Sequence, residues 1–216
     1  MKKIFGILAV ALAFVACEND VKFATPGMHA QMTLDAITDT TALKQSSYSR
    51  FMEYRPQDFK ALVVSGKGLV IEAVTDSTKL MITVPEYEFG TKYEFDKTKG
   101  ILAEYFLLDD EEEVIGSYGT DILGKDDKEI EKPGFIIFDV EEKQVPGSIS
   151  GRFVINMNAS MLPPDLMEIE GEIVPVPEDL EEGEPLPFDG ILVKKYVDKK
   201  SFQDGVFFRI PLGEAK

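Results

Sequence analysis

The chain has 216 residues, with 39 Asp plus Glu against 23 Lys plus Arg and a formal net charge of −16. Such a surface repels nucleic acid and anionic lipid headgroups and argues against nucleic acid as a partner. One cysteine and one histidine leave no pair for a disulfide or a CxxC centre and too few ligands for a His-based zinc site.

Met1, Lys2 and Lys3 form a short positive end, and Ile4 to Ala16 ("IFGILAVALAFVA") is an uncharged apolar run. A membrane-spanning helix needs about 20 apolar residues, so this run is too short to span. A positive start, a short apolar run and small residues before a cut form the pattern of a secretory signal. Phe14-Val15-Ala16-Cys17 resembles a bacterial lipobox, with Phe14 where leucine is usual. The resemblance implies a lipoprotein signal peptide over residues 1–16 and lipidation at Cys17, whose sulfur takes a diacylglycerol and whose amine takes a fatty acyl chain. Glu18, Asn19 and Asp20 resemble the surface-export signal of Bacteroidota lipoproteins, which implies an outer-membrane, lipid-anchored protein at the cell surface. One acyl chain holds a protein marginally, whereas several hold it stably. Acylation of Cys17 would leave no thiolate for nucleophilic or metal chemistry. Without Lys2 and Lys3 the chain carries 21 basic residues against 39 acidic ones, a net −18; the plain meaning of that charge is solubility.

Residues 17–57 are polar and weakly patterned and are expected to be a lipidated, partly structured tether. "HAQMTLDAI" (29–37) suits a first strand, and "SSYSRFMEYRP" (46–56) a short strand or helical turn. His29 falls in this stretch without a serine and an acid positioned as a triad needs, and is expected at the surface. From residue 58 to 216 short strands follow at regular spacing: "FKALVV" (59–64), "LVIEAVT" (69–75), "KLMITVP" (79–85), "TKYEF" (91–95), "LAEYFLL" (102–108), "EVIGSYG" (113–119), "GFIIFDV" (134–140), "GSISGRFVINM" (147–157), "GILVKKYV" (190–197) and "GVFFRIPL" (205–212). Period-two alternation between Gly, Pro and Asp turns is the strand signature. "GFIIFDV", nearly all apolar, suits a strand covered on both faces. About ten short strands without a long 3.6-period segment predict an all-β, antiparallel sandwich or barrel-like fold.

An acidic, Pro-rich insertion breaks the series. Residues 158–190 hold ten acids, no Lys or Arg, and six of the 12 prolines. Proline lacks the ladder donor, so "PVPEDLEEGEPLPFDG" (175–190) is not a central strand; "EIEGEIV" (168–174) suits an edge strand or hairpin. Such excursions on a rigid scaffold often carry function.

The run from "FKALVVSGKG" to "GSISGRFVINM" resembles a group of uncharacterised Bacteroidota lipoproteins in which a lipobox precedes an all-β domain. Gly90-Thr91-Lys92-Tyr93 and Ile149-Ser150-Gly151-Arg152-Phe153 carry the likeness over roughly residues 58–158. These are strand-turn motifs, and the resemblance implies export and a β fold without an activity. No P-loop or dinucleotide fingerprint is present. The acids Asp109, Asp110, Glu111, Glu112 and Glu113, and then Asp126, Asp127 and Glu129, are weak calcium candidates, since calcium takes six to eight oxygens. Sugar platforms would fall to Tyr48, Tyr54, Tyr87, Tyr105 and Tyr118, which at strand positions more often pack. The expected protein is a non-catalytic binding or accessory module with no cofactor. Its partners would be the membrane, through the lipid, and a membrane protein or glycan. The alternative is a surface glycan hydrolase acting through two carboxylates.

Overall fold

The computed structural model describes residues 25–33, 36–39, 51–124, 128–164, 166–169, 172–175 and 192–214. Residues 1–16, Cys17, Tyr48, Asp126 and Asp127, and the Pro-rich part of the insertion from 176 to 190, lie outside the described residues.

The described residues form an all-β structure. In chain order the strands are β1 (Gly27–Thr33), β2 (Ala36–Asp39), β3 (Phe51–Tyr54), β4 (Asp58–Val64), β5 (Gly68–Val74), β6 (Thr78–Val84), β7 (Lys92–Glu94), β8 (Leu102–Leu108), β9 (Val114–Gly119), β10 (Gly134–Phe138), β11 (Ser148–Met161), β12 (Leu166–Ile169), β13 (Glu172–Pro175), β14 (Leu192–Lys195) and β15 (Lys199–Glu214). Alternation sets the faces, as expected for a pleat with period two. β6 turns Leu80, Ile82 and Val84 inward, and β8 turns Ala103, Tyr105 and Leu107 inward. β1 and β3 fall in the stretch read as a tether, and both join the main sheet. "EIEGEIV" contributes to a hairpin, in which β12 pairs antiparallel with β13.

Eleven strands form one sheet in the order β3-β1-β15-β4-β5-β6-β8-β9-β11-β10-β7, and β15 also pairs with β11. That extra pairing closes a ring of seven strands and settles the choice between sandwich and barrel in favour of a closed ring with two flaps. β1 and β3 form one flap, and β10 and β7 form the other. Closure removes sheet edges, so in this sheet only the short strands β3 and β7 remain as edges. The pairs are antiparallel except β15–β4, which is parallel through Leu212↔Ala61 and Glu214↔Val63. A second sheet has the order β13-β12-β14-β2.

Two strands are much longer than the short strands expected, because each serves two neighbours on one side. β11 pairs with β10 through Gly151 to Ile155 and with β9 through Asn158 to Met161. β15 pairs with β1 from Phe202 to Phe208 and then with β4 from Leu212. β15 bends at bulges, where its register with β11 slips between Phe153 and Ile155 and between Ile149 and Gly151. Asp204 and Arg209, both at φ 51, sit at these slips. An extra residue kinks a strand and increases its twist, which lets β15 turn the corner of the ring.

The β11–β15 seam is packed by reciprocal glycine–phenylalanine pairs. Gly151 faces Phe207, and Phe153 faces Gly205. A Cβ on Gly205 would meet the Phe153 ring at 2.5 Å, and one on Gly151 would strike the Phe207 ring and the Ile137 carbonyl. Each glycine therefore provides the floor on which the partner strand's ring lies. The two rings stack at 6.5 Å, and Phe138 meets Phe207 edge-on at 5.9 Å. A second aromatic group, Tyr54, Tyr105, Tyr118 and Phe202, fills the other part of the core with rings 5.2 to 6.4 Å apart.

β10 differs from its expectation. Ile136 and Phe138 are buried, but Phe135 and Ile137 on its outer side are only half-buried. The strand lies next to the edge strand β7, so no second layer is required over it.

Gly151→Ala is expected to destabilise the fold by about 1–3 kcal/mol through overpacking, read as a lower urea midpoint. Adding Phe207→Leu should recover part of that loss, because a smaller side chain vacates the space. Full additivity of the two would contradict the pairing.

Candidate functional site

The ring has two distinct ends. β1 begins at one of them, where Gly27 pairs with Phe208 and Ser148 pairs with Pro211. At the other end β11 leaves the seam and β15 enters it, with Asn158 opposite Lys199. Residues 162–198, which contain most of the acidic insertion, therefore depart from and return to the end opposite Gly27.

A cavity of about 560 Å³ opens there, lined among others by Gly124, Asn158, Ser160, Met161, Asp198 and Lys199. Its frame is held by hydrogen bonds. Buried Asn158 donates from its amide to the Ile122 carbonyl at 2.8 Å, and the Ala159 N–H donates to the Asp198 carbonyl at 2.8 Å. Just inside, Lys200 is 1% exposed. Its ammonium donates to the Thr33 carbonyl at 3.3 Å and stands 5.8 Å from the Tyr118 ring centre, and Tyr118 donates from its hydroxyl to the Val197 carbonyl at 2.9 Å. A buried ammonium is costly unless hydrogen-bonded, so these contacts fix the entry of β15. The lining is more apolar than polar, with Ala159, Met161 and Leu162 beside Asn158, Ser160, Asp198 and Lys199.

A second groove of about 670 Å³ lies along the free edge of β7, between Lys92, Tyr93 and Glu94 on one side and Pro85, Glu86 and Ile101 on the other.

The structure separates the residues singled out in the sequence. Asp109 accepts from the N–H groups of Glu111 at 3.0 Å and Glu113 at 2.8 Å, so its carboxylate caps the β8–β9 turn. Glu112 in the same turn adopts φ 63. Glu129 pairs with Lys97. Among the described residues no group of three His, Cys, Asp or Glu side chains is placed to hold a metal ion. Tyr54, Tyr105 and Tyr118 are core residues, and Tyr87 packs against Phe89 and Phe138.

His29 is buried, 5% exposed, against the expectation of a surface residue. The reason is that β1 runs between β15 and β3 instead of hanging free. Its Nε2 lies 2.8 Å from Glu53 Oε1, and its Nδ1 has no partner among the described residues. Glu53 also receives a bond from Arg55 at 2.7 Å. The Arg55 bond holds the Glu53 carboxyl below its usual range; partial burial opposes that effect, and His29 assists it. Nothing in the polar sequence around His29 signalled this, since the partner lies across a strand pair.

On the outer face of the ring, Glu72 meets Lys79 at 2.9 Å and Lys60 at 3.4 Å. Burial works to raise its pKa, but the Lys79 bond and the two positive charges prevail and hold it low. Asp96 is also held low, chiefly by accepting from the Thr98 hydroxyl and N–H. Among the described residues the carboxyl groups with a resolved shift all move downward.

The fold and its cavity define an all-β protein whose closed ring of strands opens a cleft of mixed lining at one end. The chain belongs to the family DUF6252, a domain of unknown function, which it matches over residues 40–177. Neither a curated protein nor a solved structure matches it.

A carboxyl group held low in the fold stabilises it above the group's unfolded pKa, and that stability is lost as the pH falls through the folded value. Glu72→Gln should therefore reduce the urea midpoint near neutrality and make a smaller difference at an acid pH below the lowered folded value of Glu72. An equal loss at both pH values would assign the effect to packing.

Proposed function

We propose that this protein is a lipid-anchored, outer-membrane lipoprotein displayed at the cell surface, and that it acts as a non-catalytic binding or accessory module. Cys17 is the lipid attachment point, as the lipobox-like "FVAC" and the acidic residues after it suggest. The observation that carries the reading is the opposition of the two ends. Gly27, ten residues from Cys17, begins β1 at one end, and the cavity with the roots of the acidic insertion lies at the other. A protein tethered at Cys17 would present that cavity away from the bilayer. The partner is a membrane protein or a glycan that meets the cavity end.

The test combines labelling with capture. Cells fed a labelled fatty acid should label the protein, and Cys17→Ala should remove both the label and the membrane fraction. Cross-linking and purification of the anchored form should bring down one membrane protein at near-equal amounts, and Lys199→Glu at the cavity mouth should release it. Retention of Cys17→Ala in the membrane would overturn the anchor. Capture unaffected by Lys199→Glu would remove the cavity from the interface.

A further inference from the structure

In the main sheet β7 has a neighbour on one side only, β10. The alternation of bonds in an antiparallel pair identifies the backbone groups that this neighbour uses. The Phe138 N–H donates to the Thr91 carbonyl, and the Phe95 N–H donates to the Gly134 carbonyl. Thr91, Tyr93 and Phe95 therefore turn their backbone groups toward β10, and Lys92 and Glu94 turn theirs the other way. Asp96, the next residue of that parity, exchanges both of its backbone bonds with Ile101, which ends the open stretch. The N–H and carbonyl groups of Lys92 and Glu94 thus face the groove along the edge, and no backbone partner meets them among the described residues.

The strand is held ready in extended form. The Tyr93 hydroxyl accepts from the Glu88 N–H at 2.7 Å, and its ring meets Phe138 edge-on at 6.0 Å. On the outer side the Lys92 ammonium lies 3.4 Å from the Glu94 carboxylate, and both side chains are exposed. Unpaired ladder groups on an edge are a template for another strand.

The order of the charges selects the strand that fits. An antiparallel newcomer places an acid opposite Lys92 and a base opposite Glu94, the favourable cross-strand arrangement. Read in its own direction, such a newcomer runs base, any residue, acid. That is the order of Lys92-Tyr93-Glu94 itself.

We propose that β7 pairs antiparallel with β7 of a second copy of this chain, so that two main sheets join edge to edge around a two-fold axis. Tyr93 stands opposite Tyr93 of the second copy. Lys92 of each copy exchanges both backbone bonds with Glu94 of the other, and the side chains of these residues form opposite-charge pairs. The same edge is used on both copies, so the contact closes at a dimer and does not grow into a filament. Each copy carries a net charge of −16, which opposes association. Charges farther apart than about 8 Å are largely screened at physiological salt, whereas the paired Lys92 and Glu94 are in contact. Because β7 has only three residues, the contact is small beside the roughly 1,200–2,000 Å² of a stable interface, and the dimer is weak and readily exchanged. The pairing does not depend on the anchored reading above.

The test is sedimentation of the chain from residue 17 onward, carrying Cys17→Ala, at physiological salt. The expected result is a monomer–dimer equilibrium between micromolar and millimolar concentrations, with no larger species. Lys92→Glu and Glu94→Lys should each weaken association about ten-fold or more. An equimolar mixture of these two variants should restore it, because each then supplies the charges that the other lacks. Lys92→Pro removes one outward N–H and spares the bonds to β10, and should abolish the dimer. The charge variants change exposed side chains and keep the test decisive where the proline lowers the urea midpoint. Hydrogen exchange should slow on association at the Lys92 and Glu94 amides and stay unchanged at Tyr93. A monomer at every concentration would overturn the proposal, and so would a dimer that survives both charge variants. Charge variants that each lose the dimer and do not recombine would overturn the antiparallel register.

Discussion

The pairing of β11 with β15 is the constraint on which the rest of the structure depends. Without it the eleven strands would form one open sheet with β3 and β7 at its far edges. With it, seven strands close on themselves, and both flaps extend from the strands that make the seam. The reciprocal glycine–phenylalanine pairs make this seam tight. Two rings need space next to a backbone, and the absence of a Cβ at Gly151 and Gly205 supplies it. The bulges at Asp204 and Arg209 then let one strand continue from the flap neighbour β1 to the ring neighbour β4.

Much of the strand pattern was legible in the sequence, because alternation in "KLMITVP" or "LAEYFLL" follows directly from one buried and one outward face. The Gly151–Phe153 segment was also visible as a strand motif, and in the fold both residues pack across the seam. The bends in β11 and β15 were not legible. A bulge adds one residue without changing composition, and Asp204 and Arg209 give no local sign of left-handed backbone. Nor could alternation reveal ring closure, since the pairing of β15 with both β11 and β4 joins segments far apart in the chain.

The site was less legible than the fold. Acidic runs drew attention to Asp109–Glu113, yet Asp109 is engaged in holding its own turn. The groups that define the cavity end, Asn158, Ser160, Asp198 and Lys199, belong to no motif and meet only because β11 ends where β15 begins. His29 shows the same limit, since its burial depends on β1 lying between β3 and β15, and sequence patterning assigns β1 and β3 to a tether.

The place of β15 in the ring has a kinetic consequence. β1 lies at residues 27–33 and its partner at 199–214, so nearly the whole chain must be available before the first flap can pair. Folds dominated by such distant contacts close slowly. During synthesis, the strands from β4 to β9 can form hairpins in turn, but their outer strands stay unpaired until the final segment arrives. Unpaired edges of that kind invite association with other chains. The shortness of β7 and β3, and the like charge spread over the chain, then act as safeguards for the interval before the last strand closes the ring.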